Sequence, residues 1–381
     1  MSDARRILEF AGKELDAFLA TLKSAVEMES PTYGDKAASD RCGKFFQQLY
    51  QDLGFTVKVD PQAGCGDHFV AEYGTGSEAI MLAGHYDTVF PVGTLADMPW
   101  KVADGKVYGP GANDMKAGLV QIHYAIKTLQ ALGISFNKKI LICVNGDEES
   151  GSPTSRALME EVAKKSAYAF VLEPGEKDPG HVKGGRYGRA VYTITAHGRG
   201  AHSGNCPQEA VSPILELAHQ IGVLDAMNDF EKVVTVSPTW LSSGIKGTAM
   251  IPGTGSLALD VRASTSEGLK DITAAIENLR PKLSGMRLEI NGGMEKPVFE
   301  RDEKNKALFA KADALAREFA YPLTLCTAGG GSDGNFISHA GTPTLDGMGP
   351  AGDCLHTPKE YTVLADIPFK VALLARLIQT L

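Results

Sequence analysis

Ala79-Ile80-Met81-Leu82-Ala83-Gly84-His85-Tyr86-Asp87 is an apolar run that stops on an imidazole and a carboxylate. The run has the length of a buried strand. Two later stretches repeat the design. Lys139-Ile140-Leu141-Ile142-Cys143-Val144 runs into Asn145-Gly146-Asp147-Glu148-Glu149, and Ala167-Tyr168-Ala169-Phe170-Val171-Leu172 runs into Glu173-Pro174-Gly175. Between the first two lies a segment with helical character, residues 116–132. Strand, helix, strand is the signature of an α/β sheet. In open α/β sheets, ligands bind just beyond the carboxyl ends of the strands. The histidine and carboxylate clusters of this chain collect at those ends.

Working outward, residues 13–28 read as an amphipathic helix, followed by a turn at Ser30-Pro31-Thr32 and a helix ending near Gly54. After about residue 186 the texture changes. Residues 191–196 and 256–262 alternate as half-exposed strands do, and helices are expected at 213–224 and 268–283. A helix at 306–319 restarts the first pattern. The expected architecture is a catalytic domain, residues 1–186 and 298–381, interrupted by an inserted α+β lid domain at 187–297.

A chain of 381 residues is long enough for two domains, and its formal net charge of -8 argues against a nucleic-acid-binding protein, which usually shows a basic face. No stretch approaches bilayer-spanning length. The start, MSDARRILEFAGKELDAF, is broken by charges and lacks the apolar core of a signal peptide. The cysteines, Cys42, Cys65, Cys143, Cys206, Cys326 and Cys354, form no C-x-x-C pair, so a cysteine zinc site is not expected. Scattered reduced thiols fit the cytoplasm, without a membrane or nucleic-acid partner.

Five residues have the chemistry of metal ligands: His85, Asp114, Glu149, Glu173 and His356. Imidazole mixed with carboxylate suits zinc, cobalt or manganese better than calcium, and one carboxylate can bridge two ions. Asp87, two residues after His85, can accept the second ring N–H of that histidine. If Glu149 binds metal, its neighbour Glu148 can face the metal-bound water as a general base. Each signal alone has a plainer reading. His-x-Asp at a strand end is usually a polar turn, Asp147-Glu148-Glu149 a solvated loop, and Asn113-Asp114 a common turn pair. Their joint placement at strand ends outweighs those readings. His219 and His339 fall in helix-like patterns and read as structural or surface residues. Cys354 is set aside because the oxygen-rich set is already complete.

The motifs continue along the chain. They are Gly84-His85-Tyr86-Asp87-Thr88-Val89, Tyr108-Gly109-Pro110-Gly111-Ala112-Asn113-Asp114-Met115-Lys116-Ala117-Gly118, Asp147-Glu148-Glu149-Ser150-Gly151-Ser152 and Leu172-Glu173-Pro174. Gly200-Ala201-His202-Ser203-Gly204, Gly329-Gly330-Gly331-Ser332-Asp333 and His356-Thr357-Pro358-Lys359-Glu360-Tyr361 complete the set. In order and spacing, over nearly its whole length, the chain resembles the glutamate carboxypeptidases of the carboxypeptidase G type, within the aminoacylase and carboxypeptidase superfamily of two-metal hydrolases. The resemblance implies a zinc-peptidase-like α/β catalytic domain, its mixed sheet flanked by helices, with an inserted α+β lid and dimerisation domain.

The resemblance also implies roles. His85, Asp114 and Glu173 would hold one zinc, and Asp114, Glu149 and His356 the other, with cobalt or manganese able to substitute. Glu148 would be the base, Asp87 the support of His85, and the Asp114-Met115 bond would be cis. His202 would polarise the scissile carbonyl in the active site of a partner subunit, so a homodimer is expected. Arg262 would bind the substrate carboxylate, helped by backbone donors of the loop that holds Gly330, Gly331 and Ser332. One departure concerns specificity. Ala249 stands where the family often has an asparagine that helps to bind substrate.

The expected activity is metal-dependent cleavage of an amide bond in a small peptide or N-acyl amino acid, releasing a C-terminal amino acid, glutamate favoured. N-acetyl amino-acid deacylase, dipeptidase and N-carbamoyl amino-acid hydrolase are alternatives on the same scaffold. The alternative outside enzymology is a metal-free binding or regulatory relative, which would be expected to lack a ligand or the base.

Overall fold

The apolar run that begins at Ala79 forms the strand Ala79–His85, buried along its whole length. In the structure, a computed structural model that describes residues 2–381, this strand lies inside a six-stranded sheet. The sheet order is Thr56–Asp60, Gly66–Tyr73, Lys139–Gly146, Ala79–His85, Ser166–Val171 and Thr344–Leu345. Ala79–His85 runs parallel to both of its neighbours. The two outer strands before Lys139–Gly146 are antiparallel, which makes the sheet mixed. Register then does the positioning. His85 pairs with Asn145, and the Leu172 amide donates to the Ala83 carbonyl. The three strands therefore end level, and the polar residues that follow each emerge on one rim.

The sheet is closed by apolar helices. Lys116–Ala131 is buried over nearly its full circumference, and Ile367–Thr380 packs against it. Helical burial on all sides marks an element inside the core rather than on its surface. The helix expected at 13–28 is Leu15–Val26, and a separate helix, Asp3–Lys13, precedes it. Charges at Asp3, Arg5, Arg6 and Glu9 obscure the buried stripe of Ala4, Ile7 and Ala11 that docks this first helix, whose N-terminus is capped by Ser2. The hairpin Thr56–Asp60 with Gly66–Tyr73 is a further element that the sequence pattern does not predict. Its outer strand is largely exposed and carries no buried run to announce it.

The chain folds into two compact units. The first comprises Met1–Gly185, Arg301–Ala328 and Ser332–Leu381. The second comprises Arg186–Glu300 with Gly329–Gly331. In the second unit an antiparallel sheet is ordered Val234–Ser243, Thr254–Ala263, Gly188–His197 and Arg287–Lys296. Burial alternates residue by residue along Gly188–His197 and Thr254–Ala263, as a sheet with one covered face requires. Helices Pro213–Asp225 and Ser266–Glu277 pack on it around Tyr192, Ile194, Leu257, Leu259 and Ile276. The second helix ends at the Asn278 cap, short of the expected residue 283. Among the described residues, no helix is long and apolar enough to cross a membrane.

Candidate metal and catalytic site

Each expected ligand of the first unit arrives from a different strand end or loop. His85 closes its strand, Glu149 follows Lys139–Gly146 on a short 3-10 turn, and Glu173 follows Ser166–Val171. Asp114 comes from the loop before the buried helix Lys116–Ala131, and the bond from Asp114 to Met115 is cis. His356 adopts a left-handed backbone, φ 61°, in the loop before the strand Tyr361–Val363.

These side chains meet in two groups that share Asp114. His85 Nε2 lies 3.3 Å from Asp114 Oδ1 and 3.4 Å from Glu173 Oε1. His356 Nε2 lies 3.2 Å from Asp114 Oδ2 and 3.2 Å from Glu149 Oε2. One oxygen of Asp114 thus faces each group, the placement a bridging ligand needs. His85 Nε2 and Asp114 Oδ1 are buried without a hydrogen-bond partner, a costly arrangement unless a cation serves both. His85 Nδ1 sits 3.0 Å from the carbonyl of Asp87, which fixes the ring proton there and leaves Nε2 as a lone-pair donor. The residues present therefore fit divalent cations.

Electrostatics agrees. Burial opposes charge on His85, but Asp114, Asp87 and Glu173 outweigh it and lift its pKa well above the usual histidine range. Asp114 and Glu149 lift His356 to about 11. Burial, together with the charge of Asp114, lifts Glu149 to about 8. Cations entering this cluster must displace those protons, so their binding weakens as pH falls.

A third group, Cys65, His68 and Asp147, also brings possible ligand atoms together. Its bonds are already made. Asp147 accepts the amide and hydroxyl of Thr154 at 2.8 and 2.7 Å and the hydroxyl of Ser155 at 2.5 Å, and His68 Nε2 meets Thr154 Oγ1 at 2.8 Å. This satisfied network pins the turn that carries Glu148 and Glu149. Glu148 itself is nearly buried on that turn.

Two residues beside the site have no role that the sequence alone reveals. Glu360 is buried, and its Oε1 accepts the amides of Asn113 and Asp114 at 2.8 and 3.0 Å. It lies inside the His356–Tyr361 motif, which is the signal that could have found it. Thr32 donates its hydroxyl to Asp87 at 2.7 Å, and only its place in a Ser-Pro-Thr turn marks it. His219 and His339 are exposed.

The remaining expected residues belong to the second unit, apart from Ser332. His202 is exposed, and its Nδ1 accepts the amides of Gly204 and Asn205 at 3.1 and 3.0 Å. That pattern puts the ring hydrogen on Nε2, which faces outward as a donor. Ala249, whose carbonyl accepts from the Ser203 amide at 2.9 Å, sits beside this turn. Arg262 donates through Nε to Asp260 at 2.7 Å and through Nη1 to the Gly329 carbonyl at 3.3 Å. Asp260 also takes Nη2 at 3.4 Å, so a terminal N–H remains on each Nη for a ligand. Arg189 is neutralised by Asp260 and Glu295 at 2.7 and 2.6 Å, and Arg186 is buried against the Gly330 carbonyl at 3.1 Å. In the first unit, Ser332 caps the helix Asp333–His339. Its hydroxyl is consumed by Asp346 and by the Gly334 amide, so its side chain has a structural task that the substrate-binding expectation did not foresee.

The sequence and the fold have known counterparts. Carboxypeptidase G2 of Pseudomonas sp. (strain RS-16) is 31% identical over 386 residues, covering 98% of this chain and 92% of that protein. The succinyl-diaminopimelate desuccinylase of Hydrogenovibrio crunogenus is 26% identical over 359 residues, covering 90% of this chain and 93% of its own. Among solved structures, the aminopeptidase PepT of Bacillus cereus superposes with a TM-score of 0.78 at 21% identity, covering 98% of both chains. The M20 family metallo-carboxypeptidase Sso-CP2 of Sulfolobus solfataricus does so with a TM-score of 0.72 at 16% identity, over 96% of this chain and 98% of that one. The family model described as "Peptidase family M20/M25/M40" matches residues 81–380. With that match, the shared fold and the ligand groups around Asp114, the chain belongs to peptidase family M20/M25/M40 and is a metallopeptidase.

Proposed function

We propose that this metallopeptidase binds two divalent cations, zinc first and cobalt or manganese as substitutes, and hydrolyses the amide bond next to a free carboxylate to release glutamate. The observation that carries the reading is the division of the Asp114 carboxylate between two ligand groups. Bound there, two cations supply an activated water and an electrophilic pull on the scissile carbonyl. The protein's own groups do the rest. Glu148 takes a proton from water and returns it to the departing amine. His202, a donor through Nε2, stabilises the oxyanion. The terminal N–H groups of Arg262 and the backbone of Gly330 and Gly331 hold the substrate carboxylate. The likeness to a carboxypeptidase supports the leaving group as an amino acid.

A second reading is favoured by the desuccinylase relatives and by Ala249. Removal of an acyl group from an N-acyl amino acid would use the same metal site, and Ala249 offers a substrate no side-chain amide.

The second unit is read as the lid and the dimer interface. Val234–Ser243 is an outer strand of its sheet and exposes Trp240 and Leu241, and the helix Pro213–Asp225 exposes Ile214 and Leu215. Exposed apolar residues beside an outer strand suit an isologous contact. The cytoplasm is the proposed compartment.

The deciding experiment is a panel of N-acyl derivatives of glutamate, aspartate, leucine and arginine, each as acid and as carboxamide. The glutamate acid should give the highest kcat/KM, and amides should lose on the order of a hundredfold or more, because the guanidinium is left unpaired. Equal rates on acid and amide would remove the role of Arg262. Preference for leucine or arginine would remove glutamate and leave the hydrolytic mechanism.

A further inference from the structure

The Asp87 carboxylate has more partners than the support of His85 requires. His85 Nδ1 lies 3.0 Å from the Asp87 carbonyl and 3.3 Å from Oδ1, so the main chain already holds the ring. The carboxylate reaches across to the neighbouring turn. Oδ1 accepts the Glu148 amide at 3.3 Å, and Oδ2 accepts the Glu149 amide at 3.2 Å. Its shortest partner is the Thr32 hydroxyl, at 2.7 Å from Oδ2. The Thr88 carbonyl, the other acceptor near that hydroxyl, is farther away at 3.1 Å and uncharged, whereas the ionised Asp87 oxygen is the closer and stronger acceptor. The hydroxyl hydrogen therefore falls to Asp87. Thr32 cannot move aside easily. It is 4% exposed, and the segment is clamped by Ser30, whose hydroxyl donates to the Tyr86 carbonyl at 2.6 Å and whose carbonyl accepts the Thr88 amide at 2.8 Å.

We infer that Thr32 is a positioning residue. Through the Asp87 carboxylate it fixes the backbone of Glu148 and Glu149, so that the base and one metal ligand are aimed together. The inference rests on the reading of Glu148 as the base. The physical chain is short. A hydrogen bond to an ionised oxygen is stronger than a neutral one, and removing it leaves a buried carboxylate short of a donor. Without its shortest anchor the carboxylate is free to rotate, and the two amide contacts, already long, no longer hold the turn at one point. A proton acceptor displaced by a fraction of an ångström costs rate rather than binding.

Thr32→Val keeps shape and burial and removes the hydroxyl, whereas Thr32→Ser keeps the hydroxyl. The inference predicts that Thr32→Val lowers kcat about tenfold while KM stays within about twofold, the mark of lost alignment rather than lost binding. Thr32→Ser should restore kcat. Amide hydrogen exchange over residues 147–151, followed in the zinc-loaded protein, should speed up in the valine variant and not in the serine variant. Where Thr32→Val does not fold, Thr32→Ala carries the same expectations against Thr32→Ser. Wild-type kcat without the hydroxyl, an equal loss in the serine variant, or unchanged exchange each overturns the inference. Glu148→Gln separates the two levels. At wild-type kcat it removes the base itself. If it is slow while Thr32→Val is normal, only the role of Thr32 is lost.

Discussion

Glu148 stands on a turn anchored by other carboxylates: Asp87 through its amide, and Asp147 through Thr154 and Ser155. Such bracing suits a group whose task is proton transfer at a fixed point. Glu148→Gln should lower kcat on the order of a hundredfold or more with cations still bound, measured by steady-state rates beside elemental analysis. Glu360 acts one step further out, on the amides of Asn113 and Asp114. Glu360→Ala should weaken zinc binding on the order of ten- to a hundredfold, as loss of a ligand's support does. Glu360→Gln, whose amide oxygen still accepts those hydrogens, should weaken it less; chelator competition reads both. Equal affinities in all three proteins would show that Asp114 holds its place without Glu360. Three of the expected ligands, His85, Glu149 and Glu173, stand out in the sequence because each follows an apolar run, whereas Asp114 and His356 lie in loops and are marked only by their motifs. The parts of Glu360 and Thr32 were not legible. Glu360 meets Asp114 across 246 residues and Thr32 meets Asp87 across 55, and no local pattern encodes such a meeting.

Among the elements, the strand Lys139–Gly146 carries the most positional weight. Ile142 on it pairs with Ala71 on one side and Leu82 on the other and is fully buried. Ile142→Ala should destabilise the fold by about 2–5 kcal/mol, the range for such a truncation, read from the denaturant midpoint. A change below about 0.5 kcal/mol, the scale of surface substitutions, would mean that the strand is not where the core is built. The buried strands and the helix Lys116–Ala131 were readable because burial on both faces writes continuous apolar runs. The helix Asp3–Lys13 and the hairpin that makes the sheet mixed were not: charges interrupt the short buried stripe of the helix, and the outer strand of the hairpin is mostly exposed. Helix ends were also missed. The helix Ser266–Glu277 stops at an Asn278 cap although apolar residues continue to Leu279 and Leu283.

For the whole molecule, the proposed division of labour puts metal and base in one unit and His202 and Arg262 in the other. If His202 completes a partner's site, two dead variants can make one live one. Mixing His202→Ala chains with Glu148→Gln chains should restore activity, because one site of each hybrid holds both residues; co-purification through an affinity tag carried by only one variant reports whether hybrids form. No rescue in verified hybrids would place His202 in its own chain's site. The account turns most directly on the cations. Protein stripped with a chelator should be inactive on an N-acyl glutamate, and zinc titration should restore hydrolysis with an end-point at about two ions per chain, the count a bridged centre implies. Full activity after stripping, or an end-point at a single ion, would contradict it.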